Sequence, residues 1–376
     1  MSLNDCTLAA SSSSNTTPAP HEPAAEAVET TVSPFAQLGL RPELLQAVAD
    51  LGYTQPTAVQ QRVLPLALAG CDAEQLTPQS DLMVSSQTGS GKTAAFVLPI
   101  LTRLITSEQR GKKPRALILT PTRELALQVQ DQVRKYGREL KWLFSVPLVG
   151  GAPYGGQIRA LKKGVQIIVA TPGRLLDLVE QKCLNFGQVQ ALVLDEADRM
   201  LDMGFIDDIR RIMQLLPKQR QTLLFSATFS PPIRKLAQDF MNRPEQVQTA
   251  PQNTASASVE QHIIAIDTAQ KRNLLERLIV DLHINQVIVF CKTKQSVDQV
   301  ARDLKRRGLS VAPIHGDKSQ QTRLETLNAF KAGELRVLVA TDVAARGLDI
   351  AELPFVINYE MPTQAEDYVH RIGRTG

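Results

Sequence analysis

Short apolar runs recur along the chain from Phe35 onward, separated by helix-length segments of mixed polarity. Runs of four to six such residues predict strands buried on both faces, and the segments between them predict crossover helices. The predicted strands before residue 250 are 82–86, 116–120, 166–170, 191–195 and 221–227. Those after residue 258 are 261–266, 287–290, 336–340 and 355–358. The pattern therefore predicts two α/β domains, each a mostly parallel sheet with helices on both faces.

Two segments of different composition bound these domains. Residues 1–32 are rich in Ser, Thr, Ala and Pro and hold few large apolar side chains, so they cannot offset the entropy of ordering, and we expect a disordered tail. Residues 250–258 (APQNTASAS) are small and polar without periodicity, which predicts a linker. The predicted domains are 33–249 and 259–376, and the cleft between them is a natural place for a ligand.

Composition excludes several classes of protein. The 376-residue chain is 43% hydrophobic and 21% charged, as in globular proteins, and its length suits two domains. It lacks the run of about 18 apolar residues of a membrane helix and the features of a secretory signal. We therefore expect a cytoplasmic protein with no membrane partner. The four cysteines show no short spacing, which predicts reduced thiols rather than disulfides or a zinc site: Cys6, Cys71, Cys183 and Cys291.

The formal net charge of +4 is unevenly placed. Residues 1–32 hold four of the 38 acids and none of the 42 bases, so the remainder carries 34 acids against 42 bases, a net +8. A mildly basic body is compatible with a nucleic-acid backbone as partner, although many proteins with no such role are equally basic.

A glycine-rich loop follows the first predicted strand and precedes an apolar helix. It consists of Gln87, Thr88, Gly89, Ser90, Gly91, Lys92 and Thr93. Its glycines let backbone N–H groups point at phosphate oxygens, while Lys92 can reach the β and γ phosphates and the Thr93 hydroxyl can bind Mg²⁺. Ser86 stands where the strict pattern has glycine. The loop predicts a nucleotide site; the alternative is a chance glycine-rich turn.

Two acids follow the apolar run at 191–194. A carboxylate at the end of a strand beside a phosphate loop is where Mg²⁺ is held, typically through water, so we expect this role for Asp195. The next residue, Glu196, can then orient or deprotonate the attacking water. The alternative is an ordinary helix N-terminus, where acids suit the helix dipole.

Residues 195–198 read Asp-Glu-Ala-Asp, the sequence that names the DEAD-box helicases, and the chain resembles that family from Phe35 to Gly376 with the motifs in family order. The resemblance implies two RecA-like domains and an ATP-dependent, RNA-stimulated helicase. Residues 52–60 resemble the Q-motif, which implies that Gln60 reads the adenine edge and that Phe35 stacks on the ring. Phe35 could instead be a core residue of a short helix.

Further motifs of the first domain resemble RNA-contact and coupling motifs. Segments 121–125, 150–151 and 171–174 imply backbone contacts. The residues concerned are Thr122, Arg123, Gly150, Gly151, Thr171 and Arg174. Residues 226–228 resemble the motif that couples hydrolysis to strand separation, and the resemblance implies that the hydroxyls of Ser226 and Thr228 hydrogen-bond Asp198.

The second domain carries the remaining motifs. By resemblance, Arg323, Thr341 and Asp342 lie on the RNA side, Asp349 contacts the ribose of ATP, and His370 belongs to the coupling set. Arg371 and Arg374 are expected to reach the γ-phosphate as arginine fingers, which contribute about 10³ to 10⁵ in rate. The alternative is a basic helix end that satisfies its own carboxylates.

Two departures from the family pattern stand out. The stretch at 73–80 is longer than the family norm and predicts a surface loop insertion. The family's second domain continues past residues 370–376, so we expect this second domain to be truncated at its C-terminal end. Residues 198–209 and 359–376 resemble the bacterial RhlE-type subgroup, whose members suggest ribosome assembly, RNA decay or cold adaptation.

Two other functions remain open on sequence grounds, with a monomer as the default state. One is a DNA translocase that shares the RecA-like core, and the other is an RNA clamp or scaffold with vestigial hydrolysis. A purely structural interaction module would leave the phosphate loop unexplained. If RNA is bound, contacts to phosphates and 2′-OH groups predict little sequence preference.

Overall fold

The structure, a computed structural model, describes residues 33–69, 80–86, 89–107, 111–249, 259–345, 353–363 and 365–375. The predicted tail, the linker at 250–258 and nearly all of the insertion at 73–80 lie outside these residues. Gln87, Thr88 and Asp349 lie outside them as well. Within these ranges, no helix combines the length and the apolar character needed to cross a membrane.

The first sheet is built from parallel strands. These are β1 (Leu82–Ser85), β2 (Ala116–Leu119), β3 (Ser145–Leu148), β4 (Ile167–Ala170), β5 (Ala191–Leu194), β6 (Gln221–Ser226) and β7 (Glu245–Gln248). Their order across the sheet is β3-β4-β2-β5-β6-β1-β7. Every pairing in it is parallel, so the carboxyl ends of all the strands share one edge. All five strands predicted for this domain are confirmed, whereas β3 and β7 had not been predicted.

Helices pack on both faces of this sheet, after a short 3-10 helix at Ala36–Leu38. They are α1 (Pro42–Asp50), α2 (Ala58–Leu68), α3 (Lys92–Thr106), α4 (Arg123–Tyr136), α5 (Tyr154–Lys163), α6 (Pro172–Glu180), α7 (Ala197–Asp202), α8 (Ile206–Leu215) and α9 (Pro231–Phe240). Alternate strand residues point to opposite faces. Thus Val84 and Ile118 belong to one apolar cluster while Met83 and Leu117 belong to another.

The second sheet repeats this plan with fewer strands. Its strands are β8 (Val287–Phe290), β9 (Val311–Ile314), β10 (Val337–Ala340) and β11 (Phe355–Asn358), in the order β11-β8-β10-β9 and all parallel. Its helices are α10 (Lys271–Asp281), α11 (Lys294–Arg306), α12 (Gln320–Lys331), α13 (Asp342–Ala345) and α14 (Ala365–Ile372). Again two apolar clusters form, one with Val287 and Val289 and the other with Ile288 and Phe290.

The predicted strand at 261–266 is wrong for this structure. The segment has no regular structure, all but one of its residues are exposed, and Ile263 is 96% exposed. Its backbone pairs with no strand among the described residues, and an apolar run does not form a strand without a neighbour to receive its hydrogen bonds. The Tyr368 hydroxyl of α14 donates to Gln261 Oε1 of this segment at 2.7 Å.

The topology places the chemical motifs together. The glycine-rich loop follows β1, Asp195 follows β5, and residues 226–228 lie at the end of β6. These three strands lie side by side as β5-β6-β1, and the segments beyond β2, β4 and β3 continue along the same edge. The carboxyl edge of a parallel sheet is where ligands bind in open α/β folds.

Candidate active site

The loop between β1 and α3 depends on two glycines with left-handed backbones. Gly89 has φ of 78° and Gly91 has φ of 86°, conformations that side chains with a Cβ rarely adopt. At Gly91 an added Cβ would also lie 2.5 Å from Gln60 Nε2 and 2.9 Å from Thr57 Oγ1. Glycine is therefore required at residue 91 both by the turn and by the close approach of α2.

Lys92 begins α3 and folds back over the loop. Its Nζ donates to the Ser86 carbonyl oxygen at 3.1 Å, and the Ser86 and Ser90 hydroxyls lie 2.9 Å apart. The extra hydroxyl at residue 86 is thus used inside the loop. The ammonium group stays beside the N-terminus of α3, where the helix dipole and backbone N–H groups favour an anion.

Gln60 joins the loop to α2. Its Oε1 accepts from the Thr57 N–H at 3.0 Å, and its Nε2 donates to the Gly91 carbonyl at 3.1 Å. The side chain is buried at 6% exposure. Both ends of the amide are therefore engaged by protein, and an adenine would have to replace one or both of these bonds.

Asp195 directly follows β5 and is buried. It is 3% exposed, and its Oδ1 accepts from the Glu196 N–H at 3.0 Å. Burial raises the pKa of Asp195 to about 7, Lys92 opposes that rise, and Glu196 adds to it. A buried carboxylate with so high a pKa is a group that a bound cation would stabilise in its charged form.

Glu196 has an uncommon backbone and a strong partner. Its φ and ψ are 51° and 53°, a left-handed conformation that costs energy for a residue with a side chain. Its Oε2 accepts from Arg199 Nη1 at 2.9 Å. Burial acts to raise the pKa of Glu196, but Arg199, Lys92 and Arg374 outweigh burial and hold the pKa below its usual value. The carboxylate is therefore kept charged.

Asp198 ties the start of α7 to the end of β6. Its Oδ2 accepts from the backbone N–H groups of Ala227 at 2.9 Å and Thr228 at 3.3 Å, and its Oδ1 accepts from the Arg199 N–H at 3.0 Å. The Ser226 hydroxyl donates to the Thr228 carbonyl at 2.7 Å. A shift of Asp198 would therefore move the backbone beyond β6.

Residues of both domains line one cleft. The residues that line it are Lys92, Glu196, Asp198, Arg199, Ala227, His370 and Arg374. The first five come from the carboxyl edge of the first sheet, and the last two come from α14 and the turn after it. Arg374 lies close enough to lower the pKa of Glu196. The cleft thus holds two carboxylates, one lysine, two arginines and one histidine around one space.

The segments beyond β2 and β3 form a second group at the same edge. The Thr122 hydroxyl caps α4 by accepting from the Leu125 N–H at 3.4 Å. The Arg123 guanidinium lies against Gly150 and Gly151, where an added Cβ would meet it. These glycines allow an arginine to pack directly on the backbone, and Gly151 also has a left-handed φ of 74°.

The turn beyond β4 braces that group. Thr171 is 8% exposed and precedes α6, where its side chain makes no capping bond. Arg174 Nη1 donates to the Ala152 carbonyl at 2.9 Å, and its guanidinium lies 4.0 Å from the centre of the Tyr154 ring. Arg174 is itself 8% exposed, so in this structure it positions the loop after Gly151 rather than pointing into solvent.

An ion pair joins the two domains on this side. Arg323 Nη2 of α12 lies 2.9 Å from Glu124 Oε1 of α4, and the side chains are only 13% and 5% exposed. Burial lowers the pKa of Arg323, an effect that Glu124 opposes and Arg123 reinforces. Arg323 therefore lies beside Arg123 and bridges the domains next to the predicted RNA residues.

Comparisons with known proteins agree with this geometry. The model of the DEAD/DEAH box helicase family matches residues 57–236, and that of the helicase conserved C-terminal domain matches residues 270–376. The structure of S. cerevisiae Dbp5 bound to RNA and ADP BeF3 superposes with a TM-score of 0.80 at 34% identity, covering 92% of this chain and 86% of that one. The chain belongs to the DEAD/DEAH box helicase family.

Curated relatives show the same kinship over 91% of this chain. The ATP-dependent RNA helicase DeaD of Mycobacterium tuberculosis is 43% identical, and so is the ATP-dependent RNA helicase CshA of Listeria monocytogenes. This chain spans 58% of the DeaD relative and 63% of the CshA relative. The predicted fold of two RecA-like α/β domains is confirmed by the two parallel sheets and the Dbp5 match.

One residue of the predicted DEAD-box adenine site takes the other role considered for it. Phe35 is 2% exposed and belongs to the same apolar cluster as Leu40 and Leu44. A ring that is 2% exposed offers almost no surface on which a base could stack. The expectation that Phe35 stacks on adenine is therefore wrong for this structure, which shows a core residue.

The coupling motif uses other atoms than expected. We predicted that the hydroxyls of Ser226 and Thr228 would hydrogen-bond Asp198, and this is wrong. The backbone N–H groups of Ala227 and Thr228 bind the carboxylate instead, and the Ser226 hydroxyl is turned to the Thr228 carbonyl. Buried backbone N–H groups beyond the end of a strand have no neighbouring strand to accept their hydrogen bonds, and one carboxylate can accept from two of them at once.

Arg371 is not an arginine finger in this structure. It is 1% exposed, with its guanidinium on both oxygens of Asp342 at 2.5 and 2.7 Å, on Asn358 Oδ1 at 2.8 Å and over the Phe290 ring. Such bidentate pairing turns the group into the second domain. The carboxylate of Asp342 is thereby occupied by protein rather than turned to RNA. The neighbouring Thr341 is 8% exposed and its carbonyl accepts from Ala344 and Ala345.

Sequence reasoning missed two partners of these residues. Arg199 stands three residues after Glu196, a spacing that brings side chains together on one helix face, so this signal was readable. Glu124 lies inside the predicted motif at 121–125. Its pairing with Arg323 depends on how the two domains are arranged, and no local sequence pattern predicts it.

Proposed function

We propose that this chain is an RNA-dependent ATPase that hydrolyses ATP to ADP and phosphate and locally separates short RNA duplexes or remodels RNA–protein complexes. The observation that carries the proposal is the cleft in which Lys92 and Glu196 of the first domain face Arg374 of the second. Neither domain alone supplies the whole set, so a ligand that holds the domains together would switch hydrolysis on.

The residues suggest a division of labour. Lys92 neutralises the β and γ phosphates at the start of α3, and Arg374 neutralises charge that develops on the γ-phosphate as its bond to ADP breaks. Glu196, kept charged by Arg199, orients the attacking water and accepts its proton. Asp198 transmits the change at α7 to the backbone beyond β6, because it holds the N–H groups of Ala227 and Thr228.

The donor set fits a magnesium ion. Thr93 would offer a hydroxyl and Asp195 a carboxylate, oxygen ligands of the kind Mg²⁺ prefers, with waters and phosphates completing its shell. The high pKa of buried Asp195 supports the assignment, since a cation would favour the charged carboxylate. When bound, Mg²⁺ supplies charge that neutralises the phosphates.

RNA is the proposed second ligand. The Dbp5 structure that superposes on this chain with a TM-score of 0.80 is one bound to RNA and ADP BeF3. At the carboxyl edge of the first sheet lie Arg123, Gly150 and Gly151, and Arg323 of the second domain reaches the same place through its pair with Glu124. Arginines and backbone N–H groups suit phosphates rather than bases. We infer binding with little sequence preference.

The cellular setting extends the proposal. We propose a cytoplasmic, monomeric enzyme that acts in ribosome assembly or RNA decay. The assignment to the RhlE-type subgroup stays a prediction, since the relatives at 43% identity carry the names DeaD and CshA.

The test is steady-state ATP hydrolysis with Mg²⁺, first without nucleic acid, then with single-stranded RNA, then with DNA of the same sequence. We expect strong stimulation by RNA alone, and Glu196→Gln should abolish it while ATP and RNA still bind. Stimulation by DNA to the same level would favour a DNA translocase, whereas tight RNA binding with no stimulated hydrolysis would favour an RNA clamp. Release of a labelled strand from a short RNA duplex then tests helicase activity.

A further inference from the structure

The edge of the first sheet opposite to the active site carries a cluster of lysines. Three segments, 111–113, 141–144 and 162–166, lead into β2, β3 and β4. Because these strands are parallel and adjacent in the order β3-β4-β2, the segments that precede them meet at the amino edge. Exposed lysines on them are Lys112, Lys113, Lys141, Lys162 and Lys163.

Buried hydrogen bonds fix these segments to one another. Gln166 is 5% exposed; its Oε1 accepts from the Phe144 N–H at 2.8 Å, and its Nε2 donates to the Gly111 carbonyl at 2.8 Å. The Phe144 carbonyl accepts from the Gln166 N–H at 2.9 Å, and the Lys112 carbonyl accepts from the Val165 N–H at 3.3 Å. The lysines are therefore displayed on a common, ordered platform.

An aromatic ring stands among them. Phe144 is 58% exposed, whereas its neighbours Trp142 and Leu143 pack against the core. The segment thus turns Lys141 and Phe144 outward while it anchors itself through the two residues between. An exposed ring with fixed backbone offers a face on which a base can stack, and the surrounding ammonium groups suit phosphates.

The charge of this surface is not neutralised by protein. Among the residues that the structure describes, none of the five lysines forms an ion pair. The three segments contain no acid, and the nearby Glu139 pairs with Arg138. A lysine-rich surface that also exposes an aromatic ring matches single-stranded nucleic acid better than an acidic peptide, which has no base to stack.

We propose that this lysine platform, defined by Lys112, Lys113, Lys141, Phe144, Lys162 and Lys163, is a second contact site for single-stranded RNA. The strands that carry it, β2, β3 and β4, also carry the predicted RNA segments at their carboxyl ends. Each strand has four residues, so the two edges lie roughly 13 Å apart along the strands. RNA that leaves Gly150 and Gly151 reaches the platform around the edge strand β3 after a few nucleotides.

The first domain alone therefore keeps a contact with RNA through the lysine platform. It persists when the cleft opens, so the enzyme stays on a long RNA between rounds of hydrolysis. A short RNA fills only the site at the carboxyl edge and gains nothing from the platform. The inference rests on the proposed RNA binding of that main site, which the short RNA measures separately.

The test compares the affinity of the whole chain, with ADP and beryllium fluoride, for unstructured RNAs of about 8 and about 40 nucleotides. The double variant Lys113→Glu with Lys163→Glu should bind the long RNA about tenfold more weakly at low salt. It should also reduce the slope of log affinity against log salt by roughly 1.4. Phe144→Ala should lower the affinity for the long RNA about fivefold. Affinity for the short RNA should not change in either variant.

The matched control reverses two exposed lysines elsewhere, Lys235→Glu on α9 with Lys305→Glu on α11, and thermal unfolding confirms that all variants fold. Control variants that lose as much long-RNA affinity as the platform variants would overturn the proposal, because net charge alone would explain the loss. Equal losses for both RNAs, or no loss for either, would overturn it as well. Failure of the unaltered chain to bind the short RNA would instead count against the proposed function.

Discussion

Arg199 Nη1 donates to Glu196 Oε2 at 2.9 Å within the first turn of α7, directly beside the cleft shared by the two domains. Glu196 is thereby the carboxylate of this site whose charge is secured, while Asp195, the next residue back, has a pKa raised to about 7. Adjacent acids whose pKa values are shifted in opposite directions suit the separate tasks of handling water and binding a cation.

Removal of Arg199 should shift the pH dependence of hydrolysis. Burial alone raises the pKa of Glu196, and Arg199 is the first of the groups that offset it. In Arg199→Gln the pKa should rise, so the acidic limb of the kcat profile at saturating ATP and RNA should move to higher pH. Activity near pH 6 should fall several-fold and recover as pH increases.

Arg211→Ala is the control, because Arg211 makes an exposed ion pair with Glu180 away from the cleft. An acidic limb that stays in place in Arg199→Gln would show that Arg199 does not set the charge of Glu196.

Replacement of Asp195 should stabilise the protein at alkaline pH. The folded pKa of about 7 lies above the ordinary value of 3.8, so the folded state binds the proton more tightly than the unfolded chain. The charged carboxylate therefore costs stability above about pH 7, and that cost fades as pH falls towards 3.8. Without Mg²⁺, Asp195→Asn should raise the free energy of unfolding at pH 8 by up to about 4 kcal/mol, with little change near pH 4.

The same variant should lose ATP hydrolysis, and ATP with Mg²⁺ should raise the melting temperature of the unaltered protein more than that of Asp195→Asn. Chemical unfolding at pH 8 and pH 4 measures the predicted change in the free energy of unfolding. Equal stability of both proteins at pH 8 would mean that Asp195 carries no burial penalty.

The pair of Glu124 and Arg323 should couple the domains. In a double-mutant cycle of Glu124→Gln and Arg323→Ala, each single change should lower RNA-stimulated kcat/KM, and the double variant should lose less than the sum. For a pair this buried, we expect a coupling free energy on the order of 1 kcal/mol or more. Additive losses would indicate that the two side chains act independently, for example through separate RNA contacts.

Arg371 should act on stability. Breaking a buried ion pair from one side leaves a charge without a partner and costs about 3–5 kcal/mol. Arg371→Ala should therefore lower the melting temperature strongly, whereas Arg371→Met with Asp342→Leu, which removes both charges, should cost less. Differential scanning calorimetry measures both. A normal melting temperature in Arg371→Ala would show that the pair with Asp342 does not stabilise the fold, and would leave Arg371 available as an arginine finger.

The sequence predicted all the central strands but only one edge strand, β11. The strands it failed to predict, β3, β7 and β9, all lie at an edge of their sheets. Pro147 and Pro313 interrupt two of them, and proline is tolerated in a sheet mainly at edges. The run at 261–266 has the right composition for a strand, but composition cannot supply a partner for the backbone. Central strands succeed because burial on both faces imposes a continuous apolar run.

For the site, spacing identified residues that the fold brings to one cleft, but not the atoms through which they make their contacts. Lys92, Glu196, His370 and Arg374 do line one cleft. The backbone N–H groups of Ala227 and Thr228, rather than nearby hydroxyls, bind Asp198. Arg371 pairs with Asp342, whereas Arg374 of the same motif lines the cleft. Which way a side chain turns depends on its neighbours in space, here Asp342 and Phe290, and no local pattern encodes them.

Arg374→Ala tests whether residues of both domains form one ATPase cleft. The measurement is kcat for ATP hydrolysis at saturating RNA, together with the Kd for ATP. We predict that kcat falls by about 10³ or more while the Kd for ATP stays nearly unchanged, because Arg374 acts on charge that develops during the reaction. A normal kcat, or a loss confined to ATP affinity, would contradict it.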